Sequence, residues 1–259
     1  MKERAFSSIG ITQRSDKPRI NGITMVFDYG MGLLRQEDLL QAAGEYIDLA
    51  KIRVGSAALY SEAYLKRKIE LYKKYNVGVF PGGMFLEYAI SRGKTDEYFS
   101  EVTNYGFEFI EISDNVLEIS YKEKVALISN AVNNYKLKVI AEVGSKVNFT
   151  SLEEIVKDIK FCQDAGAWKI ILEAKEFYEN GKFRTDMLNQ ICERIDPEIL
   201  IFEVPTLKVS GTSHRERYLM QTWLVGNLGN DVNVGNIEPD EILVLEATRR
   251  NLEAENMKL

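Results

Sequence analysis

Histidine is almost absent from this chain. His214 stands alone among 259 residues, which excludes a histidine-rich metal site. Cysteine is nearly as scarce: Cys162 and Cys192 fall in separate helical stretches. They are expected as free thiols, in keeping with a reducing, cytoplasmic location. No run approaches the roughly 18 apolar residues of a membrane span, so no membrane partner is expected. The opening Met1-Lys2-Glu3-Arg4 leads into no apolar segment of the secretory kind. A basic surplus is missing too; the net charge of −6 argues against nucleic acid as the main partner. Low-complexity stretches and linkers are lacking, and the length suits one domain, 1–259, with residues 1–20 as an N-terminal arm.

What the chain has is a repeat. Phe107-Glu108-Phe109-Ile110 closes on Glu111, Val139-Ile140-Ala141 on Glu142, Ile170-Ile171-Leu172 on Glu173, and Leu200-Ile201-Phe202 on Glu203. The steps between these glutamates are 31, 31 and 30 residues, the size of one strand, one helix and two short loops. The same ruler reaches Pro81 behind Val77-Gly78-Val79-Phe80 and Asn233 within Val232-Asn233-Val234. Two earlier runs end at Asp28 and Lys51. Eight strands with intervening helices predict an α/β fold, a (β/α)₈ TIM barrel, with its chemistry at the C-terminal ends of the strands. An open doubly wound sheet is the rival. It lacks its G-x-G-x-x-G fingerprint here, since Gly30-Met31-Gly32 is only a fragment.

Helix starts are marked between the strands. Ser61 precedes Leu65, Ile69 and Tyr72 at helical spacing. Ser120 with Glu123, and Ser151 with Glu154, read as capping boxes. Thr185-Asp186 opens another helix, and Pro239 fits the first turn of the last. The longest departure from the repeat, Pro205 to Gly229, reads as an extended loop on the active-site face. It is expected as a lid holding an anion through Lys208, Arg215 or Arg217, or else as an oligomer contact.

In a barrel, Asp28, Glu111, Glu142, Glu173 and Glu203 converge on one mouth. Crowded carboxylates raise one another's pKa and require cations. Lys51, Arg53, Lys146 and Lys175 supply some. Oxygen-only donors point to Mg²⁺ as the further compensator, with Asp28, Glu111, Glu142 and Glu173 as candidate ligands. The alternative for any one of them is a structural bridge to a lysine inside the barrel. Gly82-Gly83 after the third strand suits either a backbone approach to an anion or a plain tight turn. Asn233, Gly235 and Asn236 lie where barrels often bind phosphate.

Taken together, these strand-end segments resemble the phosphosulfolactate synthase family. The matching stretches run from Lys17-Pro18-Arg19 and Gly22-Ile23-Thr24-Met25-Val26 through Asp28-Tyr29-Gly30, Tyr46-Ile47-Asp48 with Lys51, and Gly82-Gly83 with Glu87. They continue with Phe109-Ile110-Glu111-Ile112-Ser113-Asp114, Glu142-Val143-Gly144-Ser145-Lys146, Asp164-Ala165-Gly166-Ala167 and Phe202-Glu203-Val204-Pro205. Val232 to Ile237 and Leu245 to Arg250 complete the series.

The resemblance implies a Mg²⁺-dependent carbon–sulfur lyase that adds sulfite to phosphoenolpyruvate, giving (R)-2-phospho-3-sulfolactate, which in some members opens coenzyme M synthesis. It implies Lys146 as the acid that protonates C2, with Glu142 beside it in the catalytic pair. A structural lysine paired to Glu111 or Glu173 is the other reading of Lys146. Lys51, Arg53, Gly82, Gly83, Glu203, Asn233, Gly235 and Asn236 are the expected substrate contacts. Two segments depart from the family pattern. Glu173-Ala174-Lys175-Glu176-Phe177-Tyr178 stands for Glu-Gly-Arg-Glu-Ser-Gly, and Asn251 replaces a glycine. Rival functions are a related Mg²⁺-dependent aldolase, mutase or hydrolase on another phosphorylated enol or 2-oxo acid, and a non-catalytic heat-stress barrel protein. Exposed helix faces leave room for a homo-oligomer.

Overall fold

The computed structural model describes residues 5–144, 150–179 and 182–253. Eight parallel strands form one sheet: β1 (Thr24–Asp28), β2 (Leu49–Ile52), β3 (Gly78–Pro81), β4 (Phe109–Ile112), β5 (Lys138–Val143), β6 (Lys169–Leu172), β7 (Leu200–Glu203) and β8 (Val234–Ile237). Their ladder runs β3-β2-β1-β8-β7-β6-β5-β4. β3 and β4, at its two ends, lie against each other and nearly close a (β/α)₈ barrel. At that seam a side chain on Gly78 would overlap the Phe109 ring, which fills the space itself.

Helices follow the strands: α1 (Leu33–Ala43), α2 (Glu62–Lys74), α3 (Met84–Ser91), α4 (Thr95–Asn104), α5 (Tyr121–Asn133), α6 (Leu152–Asp164), α7 (Thr185–Arg194), α8 (His214–Leu228) and α9 (Ile242–Arg249). The expected caps are present. Ser61 accepts from the Tyr64 amide, and Ser120/Glu123 and Ser151/Glu154 close reciprocal boxes. Cys162 and Cys192 are free thiols, the first buried. Among the described residues no helix is long and apolar enough to cross a membrane.

The two faces of the sheet separate by the period of a strand, which is two residues. Ile23, Met25, Leu49, Phe80, Phe109, Ile140, Ile171 and Ile201 form an inner apolar cluster. Val26, Ala50, Val79, Ile110, Val139, Ile170 and Phe202 belong instead to the outer core, on the side where the helices pack. Lys51, Glu111, Glu142, Glu173 and Glu203 each stand two residues beyond an inner residue. They therefore point inward, one layer nearer the C-terminal mouth.

The Pro205–Gly229 segment is not the continuous loop that the sequence suggests. Only its first part, through Ser213, is irregular; a Ser213/Glu216 capping box then starts α8. Arg217, one of the three expected anion holders, is fully buried. It bonds Glu241, the Pro205 carbonyl at 2.5 Å and the Asn236 carbonyl at 2.8 Å, so it fastens the fold and cannot reach a ligand. Arg215 is exposed on the helix, while Lys208 lines the mouth.

The arm spans the opposite end of the barrel. Arg14 bonds the Gly22 carbonyl at 2.7 Å and pairs with Glu246. Lys17 donates to the carbonyls of Gly44, Ile47 and Tyr75, and Arg19 pairs with Asp48 at 3.0 Å.

Candidate active site

A cavity of about 540 Å³ opens at the C-terminal ends of the strands. Its walls include Lys51, Arg53, Gly82, Gly83, Glu111, Glu173, Glu203 and Asn236, together with Lys175 and Lys208. Lys51 lies at its floor, donating to Glu111 at 2.8 Å and Glu203 at 3.0 Å. Burial alone would lower the lysine's pKa. Glu111, Glu203 and Glu142 outweigh that and hold it well above its ordinary value, so Lys51 stays an ammonium. Glu111 shows the converse. Burial raises its carboxyl well above the usual range; Lys51 pulls it down, and Glu142 and Glu203 push it further up.

Glu142, Glu173 and Glu203 each offer an oxygen within 4.8 Å of the other two, and all three are buried. Three convergent hard oxygen donors, with no thiolate or imidazole among them, fit a small divalent cation such as Mg²⁺. The Glu111 Oε2 atom is buried without a hydrogen-bond partner among the described residues, a further sign that the acidic floor is built to receive something.

The glycines after β3 have a packing reason. A Cβ on Gly82 would fall 2.9 Å from the Val54 amide, and one on Gly83 would fall 2.5 Å from Ser113 Oγ and 3.1 Å from Glu111 Cγ. Backbone must run where a side chain would otherwise lie, so α3 starts directly against the end of β4.

A family model described as (2R)-phospho-3-sulfolactate synthase (ComA) matches residues 12–255. The chain belongs to this family. It is 34% identical over 255 residues to the phosphosulfolactate synthase of Methanothermobacter thermautotrophicus, covering 94% of each protein. It is 30% identical over 263 residues to the Bacillus subtilis phosphosulfolactate synthase, covering 97% of this chain and 98% of that one. Family membership makes it an enzyme, and a lyase-type reaction forming a carbon–sulfur bond fits. Among solved structures, a truncated 3-deoxy-D-arabino-heptulosonate 7-phosphate synthase from Thermotoga maritima superposes with a TM-score of 0.56 at 12% identity, over 89% of this chain and 84% of that one. A 2,3-dimethylmalate lyase gives 0.53 at 16%, over 86% and 75%. These two show the barrel fold alone.

Against the expectations for a phosphosulfolactate synthase, the geometry sorts the residues into three groups. Lys51, Glu111, Glu142, Glu173 and Glu203 converge as expected, and Arg53, Gly82, Gly83 and Asn236 line the mouth. Asp28, Asn233 and Gly235 need correction. Asp28 shares the outward register of Val26 and is fully buried beneath α2, where its carboxylate meets Lys68, the Tyr72 hydroxyl at 2.7 Å and the amides of Gly30 and Met31. It anchors the β1–α1 loop from behind and is no member of the cation group. Asn233 sits at the far end of β8, accepting from the Ile23 amide at 3.0 Å and donating to the Glu198 and Leu200 carbonyls at 2.8 Å. Gly235 leaves room for Met25 and Ile201 under the floor. Lys146 lies outside the described residues.

Sequence reasoning passed over Tyr29 and Tyr178, which both line the cavity. Tyr29 packs edge-on against Phe27 at 4.6 Å, with the Arg53 guanidinium 5.8 Å from its ring. Tyr178 donates to the Gly211 carbonyl at 2.7 Å, tying the β6–α7 connection to the loop before α8. Asn115 was missed as well; its side-chain amide donates to Glu142 at 2.7 Å. Tyr29 and Asn115 stand just beyond strand ends, and that position was the available signal; Tyr178 comes only after a 3-10 turn, Ala174–Glu176, in a short hairpin.

Proposed function

We propose that the mouth of this barrel joins sulfite to phosphoenolpyruvate, with Mg²⁺, to give (R)-2-phospho-3-sulfolactate. The observation that carries the reading is the cluster of Glu142, Glu173 and Glu203 oxygens within 4.8 Å of one another, at a mouth that also holds Lys51 and Arg53. Those three carboxylates would hold the cation, which when bound supplies positive charge where the substrate carboxylate becomes more negative.

The remaining work falls to the chain. Sulfur forms a bond to the terminal methylene carbon, the double-bond electrons move toward the substrate carboxylate, and C2 then takes a proton from one face. Arg53 and Lys208 line the cavity and offer cationic contacts to the phosphate or the incoming sulfonate. Lys51 stays charged between Glu111 and Glu203, which suits it to orient those carboxylates and to face an anion; its raised pKa makes it a poor proton donor. Lys146 is the acid we assign to C2, on the strength of the Glu142-Val143-Gly144-Ser145-Lys146 segment.

The test is incubation with phosphoenolpyruvate, sulfite and Mg²⁺ and detection of the sulfonated product by mass. Product should form, vanish on thorough chelation and return with added Mg²⁺. Lys146→Ala should lower kcat by ~10²-fold or more while keeping the fold. No product from the parent enzyme rules out the substrates, turnover undiminished by chelation rules out the metal, and a parent-like Lys146→Ala removes that lysine from the chemistry.

A further inference from the structure

Glu87 is buried one turn into α3, and among the described residues its side-chain hydrogen bonds all go to the loop after β4. Its carboxylate collects four donors from the loop after β4. Oε1 accepts from Ser113 Oγ at 2.5 Å and the Asn115 amide at 3.1 Å; Oε2 accepts from the amides of Val116 and Leu117, both at 2.7 Å. No lysine or arginine pairs with it among the described residues. A carboxylate buried without a cation is costly unless its hydrogen bonds are complete, and here consecutive amides complete them.

The loop that Glu87 grips carries Asn115, whose Nδ2 donates to Glu142 Oε2 at 2.7 Å. Glu142 needs such a hold. Glu173 and Glu203 crowd it, and like charges would turn its side chain away. Its backbone is fastened separately, since Lys124 donates to the Glu142 carbonyl at 2.8 Å and pairs with Asp114 and Asp158. The Asn115 amide acts on the carboxylate itself.

We propose that Glu87 is a positioning residue: it fixes the β4–α5 loop so that Asn115 holds the Glu142 carboxylate in its cation-binding orientation. The inference rests on the metal reading given above for Glu142, Glu173 and Glu203. Outer partners of carboxylate ligands commonly set metal affinity by ~10–100-fold.

The test uses the full-length enzyme, with Mn²⁺ as a spectroscopic probe, free of substrate. Mn²⁺ affinity and thermal stability are measured for Glu87→Gln, Asn115→Ala and the double variant. Glu87→Gln keeps the side chain's shape but turns an NH₂ group toward amide donors. Each single change should weaken Mn²⁺ by ~10-fold. The double should be no weaker than the worse single, because both act on one link. An affinity unchanged in Glu87→Gln, whatever its melting temperature, overturns the proposal, as do losses that multiply in the double. Should Glu87→Gln fail to fold, Ser113→Ala removes one donor and must show a smaller loss in the same direction. Absence of Mn²⁺ binding in the parent sinks the metal reading instead. The same cycle on kcat/KM then decides, non-multiplying losses keeping the positioning role and multiplying ones ending it.

Discussion

The two ends of this barrel treat buried charge in opposite ways. At the N-terminal end, the buried arginines meet carbonyls and carboxylates of the protein, with only the Nε atoms of Arg14 and Arg249 left without a hydrogen-bond partner among the described residues. Arg249 is fully buried and donates to the carbonyls of Asn230 at 2.6 Å, Val232 at 2.7 Å and Ile23 at 3.3 Å. Arg250 pairs with Glu246 at 2.6 Å and reaches the Thr12 carbonyl at 2.8 Å, binding the arm. At the C-terminal end, Lys51 bridges Glu111 and Glu203, and Glu142, Glu173 and Glu203 crowd their oxygens within 4.8 Å of one another beside an open cavity. One end sets its buried cations against the arm and the loops; the other gathers like charges around a cavity. The contrast follows the division of labour in barrels, with stability at the bottom and chemistry at the top.

The largest effect should come from breaking the bottom. Arg249→Met leaves the Asn230 and Val232 carbonyls without this donor, while the Ile23 carbonyl keeps the Val234 amide, and should cost about 2–5 kcal/mol at roughly 1–3 kcal/mol for each buried acceptor left unmet. For a chain of this size that lowers the melting temperature by roughly 10 °C. Urea and thermal unfolding measure it, and kcat of the surviving folded enzyme should be unchanged. A loss under ~1 kcal/mol would mean that the bottom is not where stability resides.

The mirror experiment is Glu203→Gln at the top. It removes one oxygen ligand's charge and one partner of Lys51, so kcat should fall by ~10²-fold or more. Unfolding in urea should be unaltered or slightly harder, since a carboxylate has left a crowded site. If Glu203→Gln unfolded as easily as Arg249→Met, the two ends would not differ in kind.

Much of this contrast is legible in the sequence. The glutamate spacing marks where four strands end, because a βα unit has a nearly fixed length. The helix starts at Ser61, Ser120 and Ser151 follow from local capping chemistry, which needs no tertiary information. Asp28 was misread for a physical reason. β1 is buried on both faces, so Ile23-Thr24-Met25-Val26-Phe27 carries only one polar residue to tell which side the next takes. The four glutamates happen to share the inner register and Asp28 does not. α8 was hidden differently: its buried face, Arg217, Met220, Gln221, Leu224 and Val225, mixes polar and apolar side chains, so no clean stripe appears. Only the Ser213-x-x-Glu216 box announced it. The pairings of Glu87 with the 113–117 loop, and of Asn115 with Glu142, join different βα units and have no local signature.

The smallest effect, and the sharpest for the comparison, is the pH dependence of Glu111→Gln. In the folded protein the Glu111 carboxyl titrates well above its ordinary value of 4.5, through burial first, with Glu142 and Glu203 adding to it against Lys51. The folded state therefore binds this proton more tightly than the unfolded state. Stability linked to Glu111 is fully present below the unfolded pKa and is lost as pH rises from there through the folded pKa. Glutamine keeps an oxygen for Lys51 and has no proton to lose. The variant should thus match the parent near pH 4.5 and exceed it at pH 8 by about 1 kcal/mol, the usual size of a stability gain won by relieving a functional site. Thermal melts in chelator across that range measure the difference. Saturating Mg²⁺ should shrink or reverse it, because a charged Glu111 next to the three cation-holding carboxylates favours the cation and binding stabilises the folded state. A parent more stable than Glu111→Gln at pH 8 in chelator would show that the Lys51–Glu111 pair outweighs the crowding, and that the top of the barrel is as self-satisfied as the bottom.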